Sequence, residues 1–459
     1  MRGYLKLLTF DCSFYFDKSN SSLSVILPQK SLSGMTLFRL HQSGELDKIP
    51  YLDATTTDGE SLRFYFDYLS TSNNNIDYRV THYVIFDSLN KANFGKHVSE
   101  FKQIITFTGD VINALFSPKR ALKFDEIKQE TNSEGYLINF EHQITDLDYE
   151  LFEKKGRFHF QGYDCEYTFT VHRGFSTDDS NYLESYKSAL QFEFHNDVVF
   201  SIDDLNSFYF SIYRLLKFIF RISDFRFRTA NFRLKFNKTG FLNFGSMEYR
   251  SLASPARLNK RLEFDKIHPC FSNLIDLFLE AKIYLNHISN LVNGYENCDL
   301  PFLFSFFDSE FKSTYPDVNK SIDDDFTTAS NKIKKILDEA KDTFINNEFQ
   351  IVGEINQFLS NSELSFRKKI LHTVNNSNYL NEKFKNINLK NFTDKIVEFR
   401  NSMIHGRSYN NKENIDFQEI VLFEKICYQM VLKRANLTEE EIDKFVEAIL
   451  FSFQNNLLK

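Results

Sequence analysis

Tryptophan is absent from this chain, and proline (7), cysteine (5), methionine (5) and glycine (15) are scarce for 459 residues. The cysteines, Cys12, Cys165, Cys270, Cys298 and Cys427, are odd in number and scattered, with no CxxC and no Cys/His cluster. That excludes a zinc ribbon and gives no disulfide framework. The glycines are dispersed, with no GxGxxG and no phosphate-binding loop, so a nucleotide fold of the usual kinds is not indicated. Long apolar runs are also missing. Leu5 to Phe10 is interrupted at once by Asp11, and no stretch approaches the ~18 residues of a membrane span. Positive charge is not in excess either: 55 Lys and Arg face 62 Asp and Glu, a net charge of -7. Contact with nucleic acid would need a local basic site, not a basic molecule. These absences lead us to expect a cytoplasmic protein with no cofactor, no metal and no membrane contact.

What is present is phenylalanine, 52 of them, with 22 tyrosines. Together with recurrent Lys, Asn and Ile this reads as a coding bias more than a chemical demand. The chain is too long for one ordinary core, so two or three domains are expected. The first half is rich in aromatic and β-branched runs typical of strands: Leu62 to Leu69, Tyr78 to Phe86, Phe158 to Gln161, Tyr167 to His172, Leu190 to His195 and Val198 to Ser201. Asp58-Gly59 marks a tight turn before the first of them. Helices are expected at Val98 to Phe116 and Leu205 to Arg221, the second preceded by a capping sequence at Ser201 to Asp204. From about Ala256 the period becomes helical. Helices are predicted at Phe271 to Val292, Phe302 to Ser313, Ala329 to Ile345, Phe349 to Leu359, Glu363 to Val374, Asn391 to His405, Phe417 to Arg434 and Glu439 to Phe453, the last behind a capping box at Thr438 to Glu441. The expected class is α+β multidomain: a β-rich part, residues 1–255, as one domain or two, then an all-α part, residues 256–459.

One segment carries chemistry. Asn391 to Arg407 reads NFTDKIVEFRNSMIHGR, with Ile396, Phe399, Met403 and Ile404 on one apolar side. Asn401 and His405, four apart, share a polar side, with Arg400 beside them. Gly406 is a natural helix stop, so the imidazole would sit in the last turn, where the macrodipole favours its protonated form by ~0.3–1 kcal/mol. Cleaving RNA without metal needs a group that moves a proton and a fixed cation on the phosphate. A histidine and a forked guanidinium are suited to those tasks. Spacing alone decides little, since an Arg five residues before a His is expected about once by chance in a chain this size. Arg367 and His372 form a second instance, but two lysines follow that Arg and no Gly follows the His.

The run Arg400-Asn401-Ser-Met-Ile-His405-Gly406 resembles the R-N-x-x-x-H motif of HEPN domains, and the wider order resembles the ApeA-like HEPN proteins of bacterial anti-phage defence. Phe306-Phe-Asp-Ser-Glu310-Phe and Leu364-Ser-Phe-Arg367 fit the two helices that precede the motif in that family. The resemblance covers a helical-bundle HEPN core of about 297–455 and is looser before it. It implies a metal-independent endoribonuclease with Arg400 as phosphate clamp, His405 as acid/base and Asn401 as the polar motif position. It also implies 2′,3′-cyclic phosphate and 5′-hydroxyl products, a homodimer with a composite cleft, tRNA as a target class, abortive infection set off by a phage-derived trigger, and a sensing β-rich domain. Arg407, Arg367, Lys368 and Glu310 are secondary candidates for RNA contact, Glu310 with the plainer alternative of a solvated helix charge. Two other readings stay open: a non-catalytic HEPN scaffold that binds a partner or nucleotide, and a β-domain that binds carbohydrate or peptide. Between Arg214 and Lys238 lie eight basic residues and one acid, in part alternating with aromatics. That pattern suits either an RNA-guiding face or a half-buried hairpin with a solvated outside.

Overall fold

The computed structural model describes residues 1–18, 20–28, 46–72, 75–86, 102–118, 122–124, 128–131, 137–141, 144–147, 153–178, 181–221, 225, 227–234, 238–244, 264–280, 300–320, 324–341, 348, 350–355, 364–404, 415 and 417–457. The class is α+β, with strands in the N-terminal part and helices in the C-terminal part. The chain divides into two compact units, Met1–Phe210 with Asp224–Phe264, and Ser211–Ser223 with Asp265–Lys459.

In the first unit, strands β1 (Arg2–Leu7), β2 (Phe10–Asp17), β3 (Ser22–Ile26), β4 (Leu52–Thr56), β5 (Ser61–Ser72) and β6 (Asn75–Phe86) pair antiparallel in the cyclic order β6-β3-β2-β1-β4-β5-β6. A six-stranded barrel results, and closure leaves these strands no bare edge to cover. Alternate residues enter the barrel, among them Leu5, Phe14, Phe16, Val25, Phe64 and Tyr78. The Asp58-Gly59 turn joins β4 to β5: Gly59 has φ 85°, a left-handed value that a side chain would strain. Strand β6 has two neighbours along one edge. Residues Asn75 to Arg79 pair with β3, and His82 to Phe86 pair with β16 (Lys238–Phe244). Between these stretches the β5–β6 register slips near Tyr65 and Phe66, a bulge-like irregularity of the kind that bends a strand and raises its twist.

Beyond β16 the sheet continues through β15 (Thr229–Leu234), β7 (Gln103–Thr108), β14 (Asn181–Phe194), β13 (Tyr163–Asp178) and β12 (Glu153–Phe160). Gln103–Thr108 corrects the helix expected over Val98 to Phe116; among the described residues of that span only Asp110–Leu115, which we label α1, is helical. The buried/half-buried alternation of QIITFT and its pairing with both β14 and β15 explain why β-branched residues prevail here. The strand expected at Val198 to Ser201 is also absent, and that stretch is irregular, after a turn at Asn196–Asp197. Val198 is nonetheless buried, and its carbonyl accepts a 2.7 Å hydrogen bond from the Gln103 amide. On β12, Gly156 pairs with Tyr167, whose ring would lie 2.3 Å from a Cβ there, so only glycine fits under the ring.

Helix α2 (Ile202–Phe220) starts as the sequence predicts: Ser201 and Asp204 exchange hydrogen bonds of 2.8 and 3.0 Å. Residues of its first half pack with phenylalanines of the sheet; Phe208 meets Phe158, Phe192 and Phe194 edge-on or tilted at 4.9–6.2 Å. The second half belongs to the helical unit. There the Phe218 ring stacks on Tyr428 at 4.6 Å, and the Tyr428 hydroxyl donates to the Phe218 carbonyl. Arg221 follows in a left-handed conformation, φ 48°, unusual for a side-chain-bearing residue. Its guanidinium forks onto Glu424 at 2.8 and 2.9 Å, with side chains 2% and 0% exposed.

The helical unit continues with α3 (Phe264–Leu279), α4 (Leu300–Thr314), α5 (Pro316–Lys320), α6 (Asp324–Glu339), α7 (Phe366–Asn375), α8 (Asn378–Lys383), α9 (Leu389–Ile404), α10 (Phe417–Arg434) and α11 (Glu439–Leu457). The capping box of α11 forms: the Thr438 N–H donates to Glu441 at 2.8 Å, and the Glu441 N–H to the Thr438 hydroxyl at 3.3 Å. Cys12, Cys165, Cys270 and Cys427 are buried free thiols whose pKa burial raises, so they pack as small apolar groups. Among the described residues no helix is long and apolar enough to cross a membrane.

Two stability predictions follow from these buried polar groups. Glu424→Gln strands the Arg221 charge and lowers unfolding free energy by about 3–5 kcal/mol, whereas Arg221→Met with Glu424→Leu recovers most of the loss. Denaturant titration of the three proteins checks this, and an unchanged midpoint in Glu424→Gln would show that the pair contributes nothing. The second concerns His82, stacked on Tyr65 at 4.4 Å and lowered by burial to a pKa of about 4. The unfolded chain takes up this proton first as pH falls, so stability is full above about pH 6.5 and declines toward pH 4, by up to about 3 kcal/mol. His82→Phe removes that part of the pH dependence; parallel stability–pH curves for the two proteins would refute it.

Candidate functional site

Helix α9 carries the sequence motif, and its placement follows from its apolar side. Phe392 and Ile396 are buried, and Phe399 meets Phe304 of α4 with ring centroids 6.1 Å apart. The Asn388 side chain caps the start of the helix by accepting from the Asn391 N–H at 3.1 Å. Two ion pairs fix the polar flanks. Lys395 binds Glu419 of α10 at 3.0 Å, and Asp394 receives both terminal nitrogens of Arg367, from α7, at 2.9 and 3.3 Å.

Arg400 is held differently. Its guanidinium carbon lies 4.7 Å from the centroid of the Phe366 ring, the first residue of α7. One terminal nitrogen donates to the Asn401 side-chain oxygen at 3.2 Å. Among the described residues no carboxylate pairs with Arg400. Phe366 is itself fixed by Phe307 and Phe423, 4.9 and 6.0 Å away. Arg400 is half-buried and Asn401 exposed, so the pair reaches solvent from an aromatic floor. Stacking of this kind orients a guanidinium while leaving most of its donors for an anion.

Several other cations of the helical unit are committed. Lys369 is 2% exposed and bound to Asp308 at 2.6 Å; Lys425 binds Glu447; one terminal nitrogen of Arg434 donates to both carboxylate oxygens of Glu310 at 2.9 and 3.0 Å. Glu310 is fully buried, which corrects the solvated helix charge considered from the sequence, and its described partners are Arg434 and Thr314. It does not join Arg400. Arg367 braces α9 through Asp394. Lys368 is exposed on the first turn of α7, where its N–H donates to the capping hydroxyl of Ser365 at 3.4 Å. His405 and Arg407 lie outside the described residues. Sequence spacing singled out Arg400 and Asn401 but not Phe366, whose position under the guanidinium is set by a contact between two helices.

No family model, curated protein or solved structure matches the chain. Among the described residues no group of three or more His, Cys, Asp or Glu is arranged to hold a metal ion.

The second Arg-to-His spacing ends in different surroundings. His372 sits edge-on between the rings of Phe311 and Tyr315, 5.8 and 4.9 Å away, with Asn376 beside it. Burial, and then the nearby charge of Lys433, lower its pKa, so its charged form is disfavoured. The described residues of the basic run from Arg214 to Lys238 differ in their surroundings. Lys217 and Arg221 are buried, burial lowers the Arg214 pKa, and in β15 Phe232 and Leu234 face inward while Arg233 is exposed. That strand is half-buried with a solvated outside.

For His372 we expect a titration midpoint below that of a free histidine in NMR spectra of the imidazole. Lys433→Gln should raise the midpoint without restoring the free value, because burial is the larger cause. A midpoint at or above the free value would contradict this account.

Proposed function

We propose that this chain is an endoribonuclease of the HEPN type, with Arg400 as phosphate clamp and His405 as acid/base. The observation that carries the reading is the state of Arg400: solvent-reaching, laid on Phe366 and without a carboxylate partner among the described residues, one position before Asn401 and five before His405. A structural arginine would be expected to be spent as Arg367 and Arg434 are, on a neighbouring carboxylate. An arginine kept on an aromatic plane suits two phosphate oxygens.

In the proposed reaction the ribose 2′-oxygen attacks phosphorus and the bond from phosphorus to the 5′-oxygen breaks. A proton leaves the 2′-hydroxyl and one reaches the departing oxygen. The products are a 2′,3′-cyclic phosphate and a 5′-hydroxyl. Arg400 opposes the charge that builds on the phosphoryl oxygens, Asn401 steadies the guanidinium over the ring, and His405 handles one of the protons. The resemblance to ApeA-like proteins supports the remaining parts: the HEPN bundle, a homodimer, tRNA as substrate, restraint or sensing by the β-rich part, and a role in abortive infection against phage. Lys368 and Arg407 would extend the positive surface along the RNA.

The test is cleavage of total RNA and tRNA in EDTA. His405→Ala should lose ~10²–10⁴ of the rate as the acid/base, and Arg400→Ala a comparable share as the charge stabiliser. Phe366→Leu, which keeps an apolar side chain but removes the ring face, should lose about 3–10-fold, in line with ~1 kcal/mol of cation–π contact. Activity equal in wild type and His405→Ala, or abolished by the chelator, would sink the mechanism and favour a HEPN-like scaffold.

A further inference from the structure

Helix α6 carries a row of apolar residues on its outside. Ile333 and Ile336 are 43% and 62% exposed, whereas Ser330 is buried. The helix therefore turns its Ser330 side to its own chain and leaves the isoleucines outward. The row extends to Ala329 and Ala340, whose N–H still donates helically to the Ile336 carbonyl. Ala329, Ile333, Ile336 and Ala340 are spaced four, three and four, the spacing of a coiled-coil seam. Its outer border is charged: Lys332 lies beside the first half of the seam and Glu339 beside the second.

We propose that α6 is a self-pairing surface that docks antiparallel on the same helix of a second copy of this chain. In that register each Ile333 packs on Ile336 of the other copy, and Ala329 faces Ala340. The same register brings each Lys332 opposite Glu339 of the other copy, so one seam closes with two ion pairs related by the two-fold axis. A helix whose opposite charges sit on the same border, one to each side of the seam's midpoint, complements itself only when antiparallel. Glu339 does have a partner in its own helix, Lys335 at 3.8 Å, but both side chains are largely exposed. A surface pair of that length holds little energy and exchanges readily. The pairing rests on residues of α6 alone and stands apart from the nuclease reading, whose homodimer would join two motif helices.

A seam of this length is small beside the about 1,200–2,000 Å² of a stable interface, so weak, concentration-dependent association is expected, of single chains or of chains already joined at their motif helices. Sedimentation velocity of the full chain from about 1 to 200 µM reads this directly, without reference to RNA. Ile336→Lys should weaken association at least ~10-fold, since it places a charge in the seam. Lys332→Glu and Glu339→Lys should each weaken it about 5-fold, while the double variant should return to within about 2-fold of wild type. These residues are exposed in the single chain, so circular dichroism should show each variant folded. A wild type that is monomeric at every concentration, a dimer indifferent to all four variants, or a double variant that fails to recover would overturn the proposal.

Discussion

The ion pair between Arg221 and Glu424 links a segment from the middle of the sequence to the helices near its end, 203 residues later. Two charges sealed from water are tolerable only as a forked pair with its donors and acceptors matched. That requirement explains a local oddity, the left-handed backbone at Arg221, a conformation that glycine adopts more cheaply. The helix must stop where it does for the guanidinium to meet the carboxylate. Beside the pair the buried rings of Phe218 and Tyr428 stack, so the α10 helix that carries Glu424 is held through both polar and apolar contacts. The same helix supplies Phe423 to the aromatic floor beneath Arg400, one residue before the buried carboxylate.

That floor separates Arg400 from its neighbours. Several described arginines and lysines of this helical unit pair with carboxylates, Arg221, Lys369 and Lys425 well buried among them, and such cations are spent on architecture. Stacking asks less of a guanidinium than a fork does. It fixes the plane and leaves the donors in that plane. The abundance of phenylalanine, which as composition reads like a coding bias, thus has a structural consequence: Phe304, Phe307, Phe366, Phe399 and Phe423 make a rigid support next to the motif helix. Arg367, adjacent to Phe366, steadies the same helix through Asp394. Two consecutive residues of α7 therefore position α9, one by an ion pair and one by a ring.

Local signals were readable where the physics is local. The α10 helix has the predicted bounds, α9 and α11 lie close to theirs, and the capping sequences at Ser201 and Thr438 make the hydrogen bonds their spacing implies. Long strands such as β5 and β6 show in their aromatic and β-branched runs. Strand β7 was misread because QIITFT is short and abuts a true helical turn. Its identity comes from partners far along the chain, β14 and β15. Glu310 is an ordinary polar helix residue in the sequence and becomes a buried one only when Arg434 arrives 124 positions later.

The sequence by itself determined the α+β class, most of the helices and the candidate pair Arg400 and Asn401, because period, capping and motif spacing act over a few residues. Only the tertiary structure decided that six strands close into a barrel, that Arg221 and Glu424 neutralise each other in the core, and that Arg400 rests on Phe366. Each of those depends on groups distant in the chain meeting at van der Waals or hydrogen-bond range, and no local pattern encodes which partner a side chain will find.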